Sequence, residues 1–165
     1  MSYLLDANTL IEAKNRYYQM RFCPGYWDWL KRGKEAGILS SVDSVAQELR
    51  RGNDDLAQWA QTHADFFVPE SDERTQAAFA EIASHIEVQS ASMRAGALEE
   101  FLGGADPWLI AKALVTGRVV VTHEQLNAQS RRKFFIPNVC RHFGVEFIDT
   151  FQMLDRQDAR FVLAA

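Results

Sequence analysis

The sequence predicts a single α/β domain in which a central parallel sheet of about four to five strands is flanked by helices. Two observations lead to this class. Short apolar runs alternate along the chain with amphipathic stretches of helical period, an order that is typical of parallel sheets covered on both faces. The length of 165 residues, of which 47% are hydrophobic and 24% charged, suits one soluble globular core and excludes a disordered chain or a coiled coil.

The predicted strands are short apolar runs that end at a polar residue or a turn. They are residues 3–5, 38–39, 66–68, 118–122 and 145–148. The run at 118–122 is the clearest, since it holds three consecutive valines. We expect strands of this composition to be buried in the sheet.

The predicted helices have apolar residues at helical spacing, and several have a recognisable start. They cover residues 9 to about 20, 24 to about 36, 42–51, 54–63, about 72–88, about 93–102, 107–115 and 136–143. Ser40 or Ser41 is expected to cap the third of these helices, and Asp149 the turn at residues 150–154. Asp106 is expected to cap the helix that has Pro107 in its first position. The tail after this series has no clear pattern, so we assign residues 1–155 to the domain and 156–165 to a C-terminal tail.

Charge, cysteines and hydropathy exclude several classes of protein. The net charge of -4, from 18 basic and 22 acidic residues, is not that of a protein that coats nucleic acid electrostatically. Cys23 and Cys140 lie far apart without metal-ligand spacing, which argues against a disulfide scaffold and a zinc module. No signal peptide and no apolar run of about 18 residues is recognised, so we expect a cytoplasmic protein that does not enter a membrane.

Four acidic residues occupy positions that a parallel sheet brings to one edge. Asp6 ends the first strand, Glu48 lies in the helix after the second strand, Asp106 precedes the fourth strand by one helix, and Glu124 follows that strand. Active groups of such sheets collect outside the carboxyl ends of the strands. We therefore predict that these four side chains form one cluster in the folded protein.

A cluster of carboxylates favours a divalent metal ion, because like charges at close range otherwise raise each other's pKa. Mg²⁺ and Mn²⁺ prefer oxygen ligands, and Mg²⁺ retains several waters, so few direct carboxylates suffice. Such a site suits hydrolysis of a phosphate ester by a water that the metal activates. The chemistry predicted from these residues is therefore phosphodiester hydrolysis.

Four segments of the chain resemble the acidic motifs of PIN-domain nucleases, in the same order. They are Tyr3-Leu4-Leu5-Asp6-Ala7-Asn8-Thr9-Leu10-Ile11, the stretch from Ser41-Val42 to Val45-Ala46-Gln47-Glu48-Leu49, Ala105-Asp106-Pro107-Trp108-Leu109-Ile110-Ala111, and Val120-Val121-Thr122-His123-Glu124. Within that superfamily the chain is most similar to toxins of the VapC type and to a PIN-like group known as DUF4411. The resemblance implies a PIN-like fold, a Mg²⁺- or Mn²⁺-dependent endoribonuclease, and the toxin half of a bacterial toxin–antitoxin pair. An antitoxin partner and a homodimer are implied in the same way.

The resemblance also implies roles for individual residues. Asp6, Glu48 and Asp106 would be the main metal ligands, and Glu124 a supporting one. The fourth position is more often Asp in the family, so whether Glu124 reaches the metal directly or through water stays open. Asn8 would hold Asp6 or a metal-bound water. The expected products carry 5′-phosphate and 3′-hydroxyl ends.

Other polar residues near the predicted site have two interpretations each. Thr122 would orient the site or contact a phosphate. The loop residues Arg131, Arg132 and Lys133 are either phosphate contacts or a solvated face. For His123 we favour a structural hydrogen bond over a role as general base.

Two other functions compete with the nuclease. Asp6-Ala7-Asn8-Thr9 faintly resembles the phosphatases of the haloacid dehalogenase superfamily, but Asn8 cannot donate the proton that their second acid supplies. The other alternative is a PIN scaffold with weak catalysis that serves as an RNA- or protein-binding module.

Overall fold

A sheet of five parallel strands forms the centre of the structure, a computed structural model that describes residues 1–164. The strands are β1 (Tyr3–Leu5), β2 (Leu39–Val42), β3 (Phe67–Val68), β4 (Val119–Val121) and β5 (Phe147–Ile148). Their order across the sheet is β3-β2-β1-β4-β5, and each neighbouring pair is parallel. The predicted α/β class and parallel sheet are confirmed.

Helices connect all the strands, as parallel pairing requires. They are α1 (Ala7–Glu12), α2 (Pro24–Glu35), α3 (Asp43–Arg51), α4 (Asp55–Thr62), α5 (Glu73–Ser90), α6 (Ala97–Leu102), α7 (Asp106–Thr116), α8 (Ile136–Phe143) and α9 (Thr150–Arg156). A π-helical turn (Ala13–Tyr17) extends α1, and a 3₁₀ turn (Ala64–Phe66) precedes β3. No helix of residues 1–164 combines the length and the apolar character that a membrane crossing needs.

The core is centred on β1 and β4, whose six residues are all buried. Leu4 pairs with Ser40 on one side and with Val120 on the other. Because both neighbours of β1 are strands and both faces are covered, Leu4 is fully buried. The helices α5 and α7 pack against each other, and α7 also contacts β2 and β4.

The structure corrects three predictions about where helices begin or end. The first helix leaves the α form after Glu12 and ends with the π-helical turn, short of residue 20. Neither Ser40 nor Ser41 is a helix cap, because both lie in β2 and Val42 holds the cap position of α3. The hydroxyl of Ser41 donates to the carbonyl oxygen of Leu5 at 2.5 Å. The helix predicted from about residue 93 begins only at Ala97, after Gly96 with a φ of 88°.

The predicted boundary between domain and tail also differs from the structure. Helix α9 runs through that boundary to Arg156, and Asp149 caps its start as predicted. Beyond α9, the ring of Phe161 lies 6.1 Å from that of Tyr26 and 6.3 Å from that of Trp29. Phe161 therefore contacts aromatic residues of α2, whereas Val162 and Leu163 are exposed.

Replacing Leu4 with Ala should lower the free energy of unfolding by about 2 to 5 kcal/mol, because the cavity lies in the central strand where neighbours cannot close it. Urea denaturation measures the loss. Leu163, which is 98% exposed, provides the matched control. Leu163→Ala should change the same quantity by less than about 0.5 kcal/mol, and equal losses in the two variants would contradict the assigned core.

Candidate functional site

The pairing of β1 with β4 brings Asp6 and Thr122 together at the carboxyl edge of the sheet. Leu5 is in register with Val121, and the backbone N–H of Asp6 donates to the carbonyl oxygen of Val121 at 3.0 Å. The residues that follow the two strands are therefore side by side. The hydroxyl of Thr122 donates to Oδ2 of Asp6 at 2.7 Å.

Asp6 is a buried carboxylate, with 1% of its surface exposed. Its Oδ1 accepts a hydrogen bond of 2.6 Å from the backbone N–H of Thr9, so Asp6 caps α1 as well as facing the sheet edge. Burial raises the pKa of Asp6, the hydrogen bonds from Thr9 and Thr122 act against this, and the charge of Glu124 adds to it. Thr9 and Thr122 are both neutral, so neither of them cancels the negative charge of an ionised Asp6.

Glu48 reaches the site from α3 and fixes the segment in front of α7. Its Oε1 accepts a hydrogen bond of 2.9 Å from the backbone N–H of Ala105. Because Ala105 immediately precedes Asp106, this contact sets the distance between the second and third acids. The periodicity of α3 could not reveal it, since the bond joins residues 57 positions apart.

Asp106 is a second acid of the cluster whose pKa is raised. Burial raises its pKa to about 7, with further increases from the charges of Glu124, Asp6 and Glu48 and an opposing effect of Lys133. The predicted capping role of Asp106 is wrong: it is the first residue of α7, Ala105 holds the cap position, and no side-chain cap bond is made. In residues 1–164, the Asp106 carboxyl group has no hydrogen-bond partner, so it is free to bind a ligand.

Glu124 is fastened to the protein by both of its oxygens. Oε1 pairs with Nζ of Lys133 at 2.8 Å, and Oε2 accepts from the backbone N–H of Ile136 at 2.8 Å. These contacts anchor the loop before α8 and the first residue of that helix. Unlike Asp6, Glu124 has a cationic partner, so its charge is already balanced.

The four predicted acids therefore gather at one edge of the sheet. The like charges of Asp6, Glu48 and Glu124 all act on Asp106. The side chains do not form a complete metal-binding site. In the described part of the chain, no three His, Cys, Asp or Glu side chains are placed so that they could bind the same metal ion. A hard divalent cation that retains several waters fits this donor set better than a metal that needs a full set of protein ligands.

The predicted supporting residues divide into two groups. Thr122 contacts Asp6, as expected of a residue that orients the site. Asn8 is exposed, and no hydrogen bond joins it to Asp6 in residues 1–164; it lines a cleft of about 470 Å³ next to Glu124. Its expected role in holding Asp6 is taken by Thr9 and Thr122 instead.

The three basic residues of the loop before α8 lie in different surroundings. Lys133 is paired with Glu124, and its ammonium group lies 4.7 Å from the centre of the Phe135 ring. Arg131 donates to the carbonyl oxygen of Ser92 at 3.1 Å and so ties the loop to the end of α5. Arg132 is exposed.

The sequence analysis did not place Glu12 or Cys140 near the acid cluster. Glu12 lines the same cleft as Asn8, and its Oε2 lies 4.0 Å from Nε2 of His123. The spacing of Asn8 and Glu12, one helical turn apart, was a usable signal for a polar face on α1. Cys140 is buried beside the acids, and burial together with Asp106 and Glu124 raises the pKa of its thiol. No local pattern marks that position.

His123 has the structural contact that the sequence favoured. Its Nε2 lies 2.9 Å from the hydroxyl of Thr150, which links the end of β4 to the start of α9. A role as general base is not needed to explain its position.

Comparison with known proteins gives one match. A family model described as “Domain of unknown function (DUF4411)” matches residues 3–161, which include all five strands and all four acids. No curated protein and no solved structure matches the chain.

Replacing Asp106 with Asn should stabilise the metal-free protein in a pH-dependent way. The pKa is about 7 in the folded chain against an ordinary 3.8, so the folded state loses stability as the pH rises through that interval. Asn does not ionise, so the gain in free energy of unfolding should be small near pH 4 and about 1 to 3 kcal/mol near pH 8. Urea denaturation in EDTA at the two pH values measures the gain.

The Asp28→Asn variant is the matched control, because it removes an exposed carboxyl group on α2. We expect no increase in stability between the two pH values for this variant. If Asp106→Asn raised the free energy of unfolding equally at both pH values, the raised pKa of Asp106 would be contradicted.

Proposed function

The chain belongs to the DUF4411 family, and from its site we propose that it is a metal-dependent endoribonuclease that hydrolyses RNA phosphodiester bonds. One observation is the main support for this proposal. Asp106 presents a carboxyl group that has no protein partner in residues 1–164, and burial together with the charges of three further acids raises its pKa at the carboxyl edge of the sheet. Perturbed acids in such a position are typical of functional sites.

The balance of charge favours a divalent cation as the missing partner. Lys133 is the only basic residue among the groups that act most strongly on Asp106, and it is bound to Glu124. Asp6, Glu48 and Asp106 would hold Mg²⁺ or Mn²⁺ with their carboxylate oxygens. When bound, such an ion neutralises charge on a phosphodiester and lowers the pKa of a coordinated water.

The remaining residues hold these three acids in place. Thr9 and Thr122 fix the two oxygens of Asp6 through neutral donors. Glu48 uses Oε1 to hold Ala105, which places Asp106 at the start of α7. We assign Glu124 a positioning role, because Lys133 and the backbone of Ile136 already occupy its oxygens.

RNA as the substrate is supported by the resemblance to PIN-domain nucleases described for the four acidic segments. The proposed role as the toxin of a toxin–antitoxin pair, the antitoxin partner and the homodimer rest on the same resemblance. A cytoplasmic location is part of this proposal.

A second candidate is a scaffold with weak catalysis that binds RNA or protein. It is favoured by the finding that no three metal-binding side chains in residues 1–164 are arranged around one point. The two functions differ in whether a divalent metal ion stabilises the folded protein.

We predict that Mn²⁺ raises the melting temperature of the wild-type protein by about 3 to 6 °C at ten times its Kd, because only the folded state holds the acids together. Asp106→Asn should lose most of that shift, since the variant removes the carboxylate that has no other partner. Differential scanning fluorimetry with and without Mn²⁺ measures each variant against its own metal-free value.

Glu124→Gln is the matched control for Asp106→Asn. It removes one negative charge from the same cluster but can still accept from the backbone of Ile136. We expect it to retain most of the Mn²⁺ shift. If wild type and Asp106→Asn respond alike to Mn²⁺, the metal site is wrong and the binding module is the better description.

Cleavage of a labelled RNA in Mg²⁺ should give 5′-phosphate and 3′-hydroxyl ends, because an activated water and not the ribose 2′-hydroxyl is the nucleophile. Treatment of the products with a phosphatase and a 5′-end kinase identifies the ends. Products with 2′,3′-cyclic phosphates would contradict the mechanism.

A further inference from the structure

A second cleft of about 420 Å³ lies next to the acid cluster, and we refer to it as the basic cleft. Its walls come from α5, from α8, and from the loop that precedes α8. The side chains with positive charge or ring nitrogens that line it are His85, Arg131, Lys133, Arg141 and His142. None of the other lining residues that the structure describes is acidic.

Arg131 and Arg141 bring positive charge to the basic cleft, and no acidic residue lines it, in a chain whose net charge is -4. A cleft focuses the field of its charges because its walls have a low dielectric constant. The expected ligand is therefore an extended anion with more than one charged group, since the positive side chains lie both on α8 and on the loop before it.

Several donors in the basic cleft are free to bind a ligand. Arg141 is exposed, and its guanidinium makes no hydrogen bond or ion pair within residues 1–164. The rings of His85 and His142 are stacked, with centroids 3.6 Å apart and an angle of 16° between their planes. Arg131, in contrast, uses one nitrogen to hold Ser92 and keeps its other nitrogens for a ligand.

The basic cleft adjoins the acid cluster. Lys133 and Phe134 line it, and the same two residues line a small cavity of about 60 Å³ that Asp106 also lines. Lys133 is in turn bound to Glu124. Lys133 and Phe134 therefore separate the basic cleft from Asp106, and an extended anion in the cleft would lie next to the acid cluster.

We propose that the basic cleft binds the phosphodiester backbone of single-stranded RNA and directs it towards Asp106, an inference that rests on the proposed nuclease function. Arg141 and Arg131 contact phosphate oxygens, as guanidinium groups do at a backbone. The stacked imidazoles provide a flat surface for a base, which only an unpaired strand can present. Helices α5 and α8 thereby become part of the substrate site, beyond the loop residues that the sequence indicated.

The test is the binding of a fluorescein-labelled oligouridylate to the full chain in EDTA, measured by fluorescence anisotropy over a range of salt concentrations. Because EDTA prevents cleavage, binding is read independently of catalysis. Arg141→Gln should weaken binding about 3- to 10-fold and reduce the slope of log K against log salt by about 0.7, the value for one phosphate contact in a single strand. A purely structural role of Arg141 would not change that slope.

Arg21→Gln is the matched control, because Arg21 is exposed, carries the same charge and lies outside the basic cleft. It should leave both the Kd and the slope unchanged. Equal effects of the two variants, or none for Arg141→Gln, would overturn the proposal. The proposal would also be overturned if polyglutamate bound as tightly as the RNA and if that binding depended on Arg141. The basic cleft would then be a site for an acidic protein.

Failure of this inference is distinguishable from failure of the nuclease function. If wild type cleaves RNA in Mg²⁺ while Arg141→Gln changes neither Kd nor KM, the nuclease stands and the basic cleft is wrong. If RNA binding depends on Arg141 but wild type never cleaves, the cleft stands as an RNA site and the nuclease is wrong.

Discussion

The parallel pairing of β1 with β4 is the constraint on which the site depends. It places the residues after Leu5 and Val121 side by side, so Asp6 receives the hydroxyl of Thr122 and caps α1 at the same time. A buried acid of this kind is costly unless it is hydrogen-bonded. The two neutral donors reduce that cost without cancelling the charge, which keeps Asp6 available to a cation.

The other acids are held by contacts that stabilise the fold and shape the site together. Glu48 binds the backbone in front of α7, and Glu124 binds the first residue of α8. Asp106 has no such contact in the described chain, and its raised pKa shows that the folded state is destabilised by its charge. Local instability of this kind is common where a protein keeps a group for a ligand instead of for its own stability.

The charges of the protein are separated into two neighbouring regions. The acids lie at the sheet edge, and the basic cleft lies between α5, α8 and the loop before α8. Lys133 belongs to both, since it lines the basic cleft and pairs with Glu124. A net charge of -4 averages over this separation and therefore conceals the basic residues that line this cleft.

The sequence by itself determined the α/β class, the approximate strands and the four acids, because apolar runs, helical spacing and the strand-end rule are local or topological signals. It could not determine hydrogen bonds between distant segments. Three such findings are that Glu48 holds Ala105 in the cap position in front of Asp106, that Ser41 belongs to β2, and that His85 stacks on His142. Only the tertiary structure decides such contacts, since each joins elements whose spacing along the chain carries no periodic signal.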